Sequence, residues 1–238
     1  MPKSLPLFLL ILIAIASCKK NDTQHPRLEI PADTPGNNIV INTFPLAVGN
    51  RWTYKVVYQH RTVDIDPIST DRYTQTITHD TVINGYHLYY LSGAEYALPE
   101  YRQRVAIPGK YYTQNANGLY SVPAIDHINP GYMQDSTVLE LPYGPASNWQ
   151  KDSVNRSEHY YYISLGFKNI TTPSGNFDCI KFSKGYSYGY GAIHYDNYRY
   201  YSNKGLIREI TNNGGWSSTP GKGPVTDLTI TTLESVNF

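Results

Sequence analysis

The side chains able to do chemistry in this 238-residue chain are sparse and scattered. A protein metal centre draws several His, Cys or carboxylate ligands to one point, often seeded by close pairs in sequence. The seven histidines stand at His25, His60, His79, His87, His127, His159 and His194, with no H-E-x-x-H run and no cysteine pair. Asp64-Ile65-Asp66 lacks the glycine and glutamate that a calcium loop places after it. Acid and imidazole stand close in Asp126-His127, Glu158-His159 and His194-Tyr195-Asp196. In an extended strand neighbours point to opposite faces, so only His194 and Asp196 share a side. No G-x-S-x-G elbow or S-x-x-K element lies in a suitable context, and no phosphate-binding glycine loop is present. These patterns predict neither a cofactor nor a metal. A glycan hydrolase whose paired carboxylates come from distant strands would leave no local signature and stays open as an alternative.

Tyrosine is the residue in excess: 23 of them, against 6 Phe and 3 Trp. Tyr186-Ser187-Tyr188-Gly189-Tyr190-Gly191 alternates strictly. If extended, it lines three phenols along one face and leaves the other almost bare. Such rings can stack on a sugar or cover an apolar ligand while their hydroxyls hydrogen-bond. Tyr186, Tyr188 and Tyr190 are therefore the expected ligand-binding residues. Trp216, in the glycine-rich stretch from Asn213 to Gly223, is the expected exposed ring beside them. The opposing expectation is that the bare side packs on a neighbouring layer and the tyrosines form a solvated sheet face. Trp52 and Trp149 stand at strand starts and read as core anchors.

The amino terminus carries a different kind of chemistry. Lys3 precedes an apolar run from Leu5 to Ala16, the size of a secretory core and too short for the roughly 20 residues of a bilayer span. Ile15-Ala16-Ser17-Cys18 then looks like the lipobox read by bacterial signal peptidase II. That resemblance implies diacylglyceryl attachment at the Cys18 sulfur, cleavage before it and acylation of the new amine. Residues 1–17 would be a lipoprotein signal peptide, and two or more acyl chains hold a protein at a membrane durably where one does not. Cys179 is then left without a partner for an intrachain disulfide. Removing Lys3 leaves 19 basic and 19 acidic side chains, a balance that disfavours a nucleic-acid partner. The absence of Asp directly after Cys18 favours the outer membrane, with the leaflet left open.

The elements that must position these residues read as nearly all β. Residues 18–43, with Pro26, Pro31, Pro35 and Gly36, have the composition of a lipidated flexible tether. From Phe44 onward β-branched and aromatic runs alternate with Gly, Asn, Asp and Pro, and no window sustains a helical period. Three landmarks recur in order: Pro45 to Trp52 with Pro142 to Trp149, Val82 to Tyr89 with Pro173 to Ile180, and Tyr111-Tyr112-to-Gly118-Leu119 with Tyr200-Tyr201-to-Gly205-Leu206. They predict two related meanders, about 44–140 and 141–238, sharing one core as an antiparallel curved sheet, open barrel or sandwich within a single ectodomain, 44–238.

The segments Phe44 to Tyr54, Gly175 to Lys181 and Tyr200 to Ile207 run close to the pattern PLxVGNxWxY, GxFxCIK and YYxxxxGL, the last with three residues rather than four between Tyr201 and Gly205. With the lipobox, they resemble a group of Bacteroidota outer-membrane lipoproteins. The resemblance implies an exported all-β lipoprotein and supplies no activity. Asp80-Thr81-Val82, Asp135-Ser136-Thr137 and Asp152-Ser153-Val154 further match the acceptor pattern of Bacteroidota protein O-glycosylation, which would modify Thr81, Ser136 and Ser153. The expected function is that of a noncatalytic, lipid-anchored envelope protein that binds a glycan, a lipid or another envelope protein. The alternatives are a structural or assembly factor without a small ligand, and the dispersed-carboxylate hydrolase.

Overall fold

A computed structural model describes residues 26–61, 66–83, 85–122, 138–143, 149–152, 158–188, 197–216 and 224–238. Cys18, Ser136, Ser153 and Tyr190 lie outside the described residues, as do Asp126-His127 and the His194–Asp196 pair.

The fold is all-β. After β1 (Thr34–Pro35), the first meander runs β2 (Arg51–Arg61), β3 (Ser69–Ile83), β4 (Tyr86–Leu91), β7 (Lys110–Asn115), β8 (Gly118–Val122) and β9 (Val138–Pro142). The short strands β5 (Ala94–Leu98) and β6 (Gln103–Ile107) interrupt it as a separate two-stranded hairpin, bridged by a 3₁₀ turn at Pro99–Tyr101. The second meander runs β10 (Trp149–Asp152), β11 (Glu158–Thr172), β12 (Gly175–Tyr188), β13 (Asn197–Ser202), β14 (Gly205–Trp216) and β15 (Pro224–Asn237). Long antiparallel pairing of β15 with β2, from Thr226 opposite Arg61 to Asn237 opposite Arg51, joins the two halves edge to edge. Among the described residues this makes one thirteen-stranded sheet, curved and open rather than closed into a barrel.

Turn chemistry explains the hairpins. Gly85 ends the β3–β4 turn at φ 83° and Gly205 ends the β13–β14 turn at φ 101°, backbone angles that side chains with a Cβ avoid. Trp52 anchors the start of β2, only 2% exposed, and donates its indole N–H to the Lys204 carbonyl at 2.9 Å. Two core clusters each draw on both meanders. One gathers Trp52, Tyr54 and Ile77 with Ile170, Ile207, Ile210, Leu228 and Leu233; the other gathers Leu119 with Leu141, Ile180, Phe182 and Tyr201.

Residues 26–43 differ from the expected tether. They form a strap laid across the sheet. The Leu28 N–H donates to Gln59 Oε1 at 2.6 Å, and Gln59 Nε2 donates to the Pro26 carbonyl at 2.9 Å. Asp33 accepts from Lys181 at 2.5 Å and from the Tyr200 hydroxyl at 2.8 Å. Thr34 and Pro35 pair with β11, and at Gly36 a Cβ would sit 2.4 Å from the Lys168 carbonyl carbon, so only glycine allows this approach. Ile41, 1% exposed, then plugs the second core cluster. Proline-rich, aperiodic sequence carries no pattern signal, yet Leu28 and Asn37 donate their N–H groups to Gln59 and Asp178 of the sheet, and Gly36 donates to the Phe167 carbonyl.

Candidate functional site

The curl of the sheet encloses a cavity of about 390 Å³ between the meanders, within the roughly 300 to 1,000 Å³ of small-molecule sites. Its polar centre is Arg199 on β13. The guanidinium donates through Nε to Glu209 of the neighbouring β14 at 2.6 Å, and through Nη1 to Glu140 of β9 at 3.1 Å. Strands β13 and β9 are far apart in the sheet order. The Arg199–Glu140 bond therefore spans the interior from one wall to the other. Glu140 also accepts from the Ser121 hydroxyl at 2.7 Å and lies 3.9 Å from the Lys110 ammonium. The Arg199 side chain is 28% exposed, and what it is exposed to is the cavity it lines.

Electrostatics keep this group charged. Glu209 beside it raises the Arg199 guanidinium well above its usual range, outweighing burial, which acts in the opposite direction. Two cations, Arg199 and Lys110, face two carboxylates, Glu140 and Glu209, so the lining has no net charge.

Tyrosines frame the ions. Tyr54 and Tyr73 lie 5.1 Å apart between ring centroids, and Tyr73 stacks on Tyr96 of the β5–β6 hairpin at 5.9 Å. Tyr112 of β7 and Tyr201 of β13 line the cavity from opposite meanders. They are the second members of Tyr111-Tyr112 and Tyr200-Tyr201, the pairs that recur in the sequence. Burial raises all five phenols, so each remains a neutral hydroxyl at physiological pH. Thr211, Thr229 and Thr231 add hydroxyls from β14 and β15, while Leu46, Ile77, Leu91 and Leu206 supply apolar wall.

The β5–β6 hairpin forms one side through Tyr96, Val105 and Ile107. It is joined to the sheet by a 2.5 Å hydrogen bond from the Ala97 N–H to Asp71 Oδ2 and by the Tyr73–Tyr96 stack. At its base Gly93 and Gly109 meet, and a Cβ on Gly109 would sit 2.2 Å from the Tyr90 hydroxyl.

Of the residues expected from the sequence, Tyr186, Tyr188, Trp216 and Thr81 have a place in the strand ladders. Tyr186 and Tyr188 occupy the last stretch of β12, opposite Tyr160 and Glu158, and Trp216 ends β14 opposite Pro224. Thr81 sits half-exposed on β3 opposite Leu88, and the preceding Asp80 is hydrogen-bonded to His87. Sequence reading missed Arg199, Glu140 and Glu209. The strict alternation Arg199, Tyr201 on one face of β13, with Tyr198 and Tyr200 on the other, was the signal available.

A second imidazole–carboxylate contact joins β2 to β15: His60 Nδ1 lies 2.5 Å from Asp227 Oδ1, which also accepts from the Tyr58 hydroxyl at 3.0 Å. Among the described residues no three His, Cys, Asp or Glu side chains gather as metal ligands. No helix among them is long and apolar enough to cross a membrane, which leaves strands unaddressed. Cys179 is buried, with its thiol directed to the Phe177 carbonyl at 3.5 Å.

No family model matches the chain, and no curated protein matches it. Two solved structures are similar over 84% of this chain and all of their own. One is a protein of Bacteroides fragilis described as exported, with a YmcC-like fold, at 12% identity and a TM-score of 0.42. The other is a protein of Parabacteroides distasonis described as a lipoprotein, at 14% identity and the same TM-score. Likeness at this level carries nothing about the ligand or partner of this chain.

Proposed function

We propose that this chain is a lipid-anchored cell-envelope protein of the outer membrane whose β ectodomain takes a small uncharged ligand into the cavity between its two meanders. The observation that carries the binding role is Arg199 held between Glu209 and Glu140 inside a tyrosine-lined space. Three charged groups in a cavity are costly unless something polar completes their hydrogen bonds, and a well-filled structural core would have replaced them with apolar side chains. Both carboxylates accept from one guanidinium, which fixes them as a shared polar edge of the cavity. Binding without turnover is the reading that fits.

The anchor rests on Cys18 and the lipobox resemblance. Fixing of the strap at Pro26 leaves residues 19–25 between the lipid and the sheet, a reach of about 25 Å fully extended. The ectodomain is then held close to the membrane surface.

Two measurements test the proposal. Full-length protein from envelope fractions should label with palmitate and float with outer membrane on a density gradient; labelling of a Cys18→Ser variant equal to the parent rejects the anchor. Native mass spectrometry of the same material, in membrane-mimetic discs, should show a bound small molecule that Arg199→Met loses. Ligand retention unchanged by Arg199→Met rejects the cavity as the site.

A further inference from the structure

Taking that cavity as the ligand site, we infer that its ligand is a neutral polyhydroxylated ring, a sugar. Three features converge on this chemistry.

The first is the mixture of donors and acceptors at the polar centre. A guanidinium carries five N–H donors in a planar fork, and each carboxylate offers two acceptor oxygens. Arg199 spends Nε on Glu209 and one Nη1 hydrogen on Glu140, and Tyr201 takes a further hydrogen bond from it. Donors of the fork and acceptors of Glu209 thus lie side by side. A pair of adjacent hydroxyls matches such an edge, because each hydroxyl donates once and accepts as well. An acyl chain would cover the same groups with nothing to bond them, at the cost of an unsatisfied buried polar group.

The second is the charge balance. With Arg199 and Lys110 set against Glu140 and Glu209, an anion meets as much repulsion as attraction, and so does a cation. A carboxylate or phosphate on the remaining donors of Arg199 would sit beside the like charges of Glu140 and Glu209.

The third is the stack. Tyr96 lies against Tyr73 with ring planes 26° apart, and Tyr54 continues the surface. Phenol faces offer flat apolar area to the C–H face of a sugar, and their hydroxyls stay protonated. Thr211, Thr229 and Thr231 add hydroxyls to the lining, Thr231 directly across the β14–β15 ladder from Glu209. Apolar face, hydroxyl rim and interleaved charges together describe a ring whose faces are C–H and whose edge is O–H.

The test is a thermal-shift titration of the full-length lipidated protein in membrane-mimetic discs against three probe sets: neutral disaccharides (cellobiose, maltose, lactose and diacetylchitobiose), glucuronate, and palmitate. At least one neutral disaccharide should raise the melting temperature saturably. Glu209→Gln, which keeps shape and removes charge, and Tyr96→Ala, which removes the hairpin's ring, should each weaken that disaccharide about tenfold or more. The melting temperature and circular dichroism of each variant without ligand give the folded baseline from which its ligand shift is read. A shift by palmitate or glucuronate, sensitive to the same variants while every disaccharide is silent, keeps the cavity as a site and overturns the sugar. Silence of all three probe sets overturns the sugar inference, and overturns the cavity reading too if no molecule co-purifies. A disaccharide shift that neither variant changes places the sugar outside the cavity and also overturns it.

Discussion

Arg199 joins two walls that the chain order keeps far apart, and its removal has a calculable sign. Arg199→Met would leave Glu140 and Glu209 facing one cavity with only the more distant Lys110 to offset them. Breaking one partner of a buried ion pair costs about 3 to 5 kcal/mol. The opening onto the cavity lowers this to about 2 kcal/mol, because water in the cavity screens the remaining charges. Urea denaturation should show that loss, and adding Glu209→Gln should recover part of it, since the like-charge repulsion is then gone. At the same scale, burial pushes the Cys179 thiol up to about 12, with Arg208 working against the rise. A thiol in that range is almost wholly protonated at pH 8 and a poor nucleophile. Iodoacetamide should therefore leave Cys179 unmodified in the native protein and alkylate it fully in urea. Rapid native labelling would mean that the strand around Cys179 opens.

At the scale of elements, the strap and the β5–β6 hairpin are the pieces whose attachment is local enough to measure. Burial raises the Asp33 carboxyl, but hydrogen bonds from Lys181 and Tyr200 and the Lys181 charge together outweigh it, and the net direction is down. A carboxylate depressed in the folded state adds stability that is fully present above its unfolded value of about 3.9 and is lost as pH falls through the folded value. Asp33→Asn should therefore destabilise the protein at pH 7. The gap to the parent should narrow only below about pH 4. A gap constant down to pH 2 would mean that the carboxylate contributes no pH-linked stability. The hairpin makes no ladder with the main sheet and leans on Asp71 and Tyr73. Its amides at Val105 and Ile107 should exchange hydrogen faster than those of Tyr54 and Val56 in β2, which is paired on both sides. Equal protection would show that the hairpin does not move independently as a wall of the cavity. Elements of these two kinds were unequally legible. Asn84-Gly85 and the Tyr-Tyr-to-Gly-Leu intervals announce hairpins because turns demand particular residues at fixed offsets. The strap announces nothing, because its order comes from Gln59, Asp178 and Lys181, each more than 30 residues away.

The whole molecule shows why the fold is legible in the sequence and the cavity is not. Alternation and turn chemistry are local, so an antiparallel all-β chain declares itself strand by strand. The cavity exists only because β9 is brought around to β13, and the identity of the strands that meet is set by the curl of the sheet rather than by any short interval. Arg199 and Glu209 are ten residues apart, but Glu140 is 59 away, and no motif spans that distance. Tyr186, Tyr188 and Tyr190 are conspicuous in the sequence because their pattern is contiguous, and Trp216 because it stands in a glycine-rich stretch. Contiguity also bears on stability. Each meander has a full set of strands, yet the two larger core clusters belong to neither alone: Trp52 and Tyr54 pack with Ile207 and Leu228, and Leu119 packs with Ile180 and Phe182, while only the small Leu88–Val122 cluster lies within one meander. Separated halves would expose those faces together with the edges of β2 and β15 that now pair over eleven residue positions. Tryptophan fluorescence and far-ultraviolet circular dichroism should therefore report one coincident unfolding transition in urea. Residues 26–143 and 144–238, expressed separately, should each fail to give a cooperative transition, and mixing them during refolding should restore it. A half that melts cooperatively by itself would show that the core is divisible and that the cavity is an interface between domains.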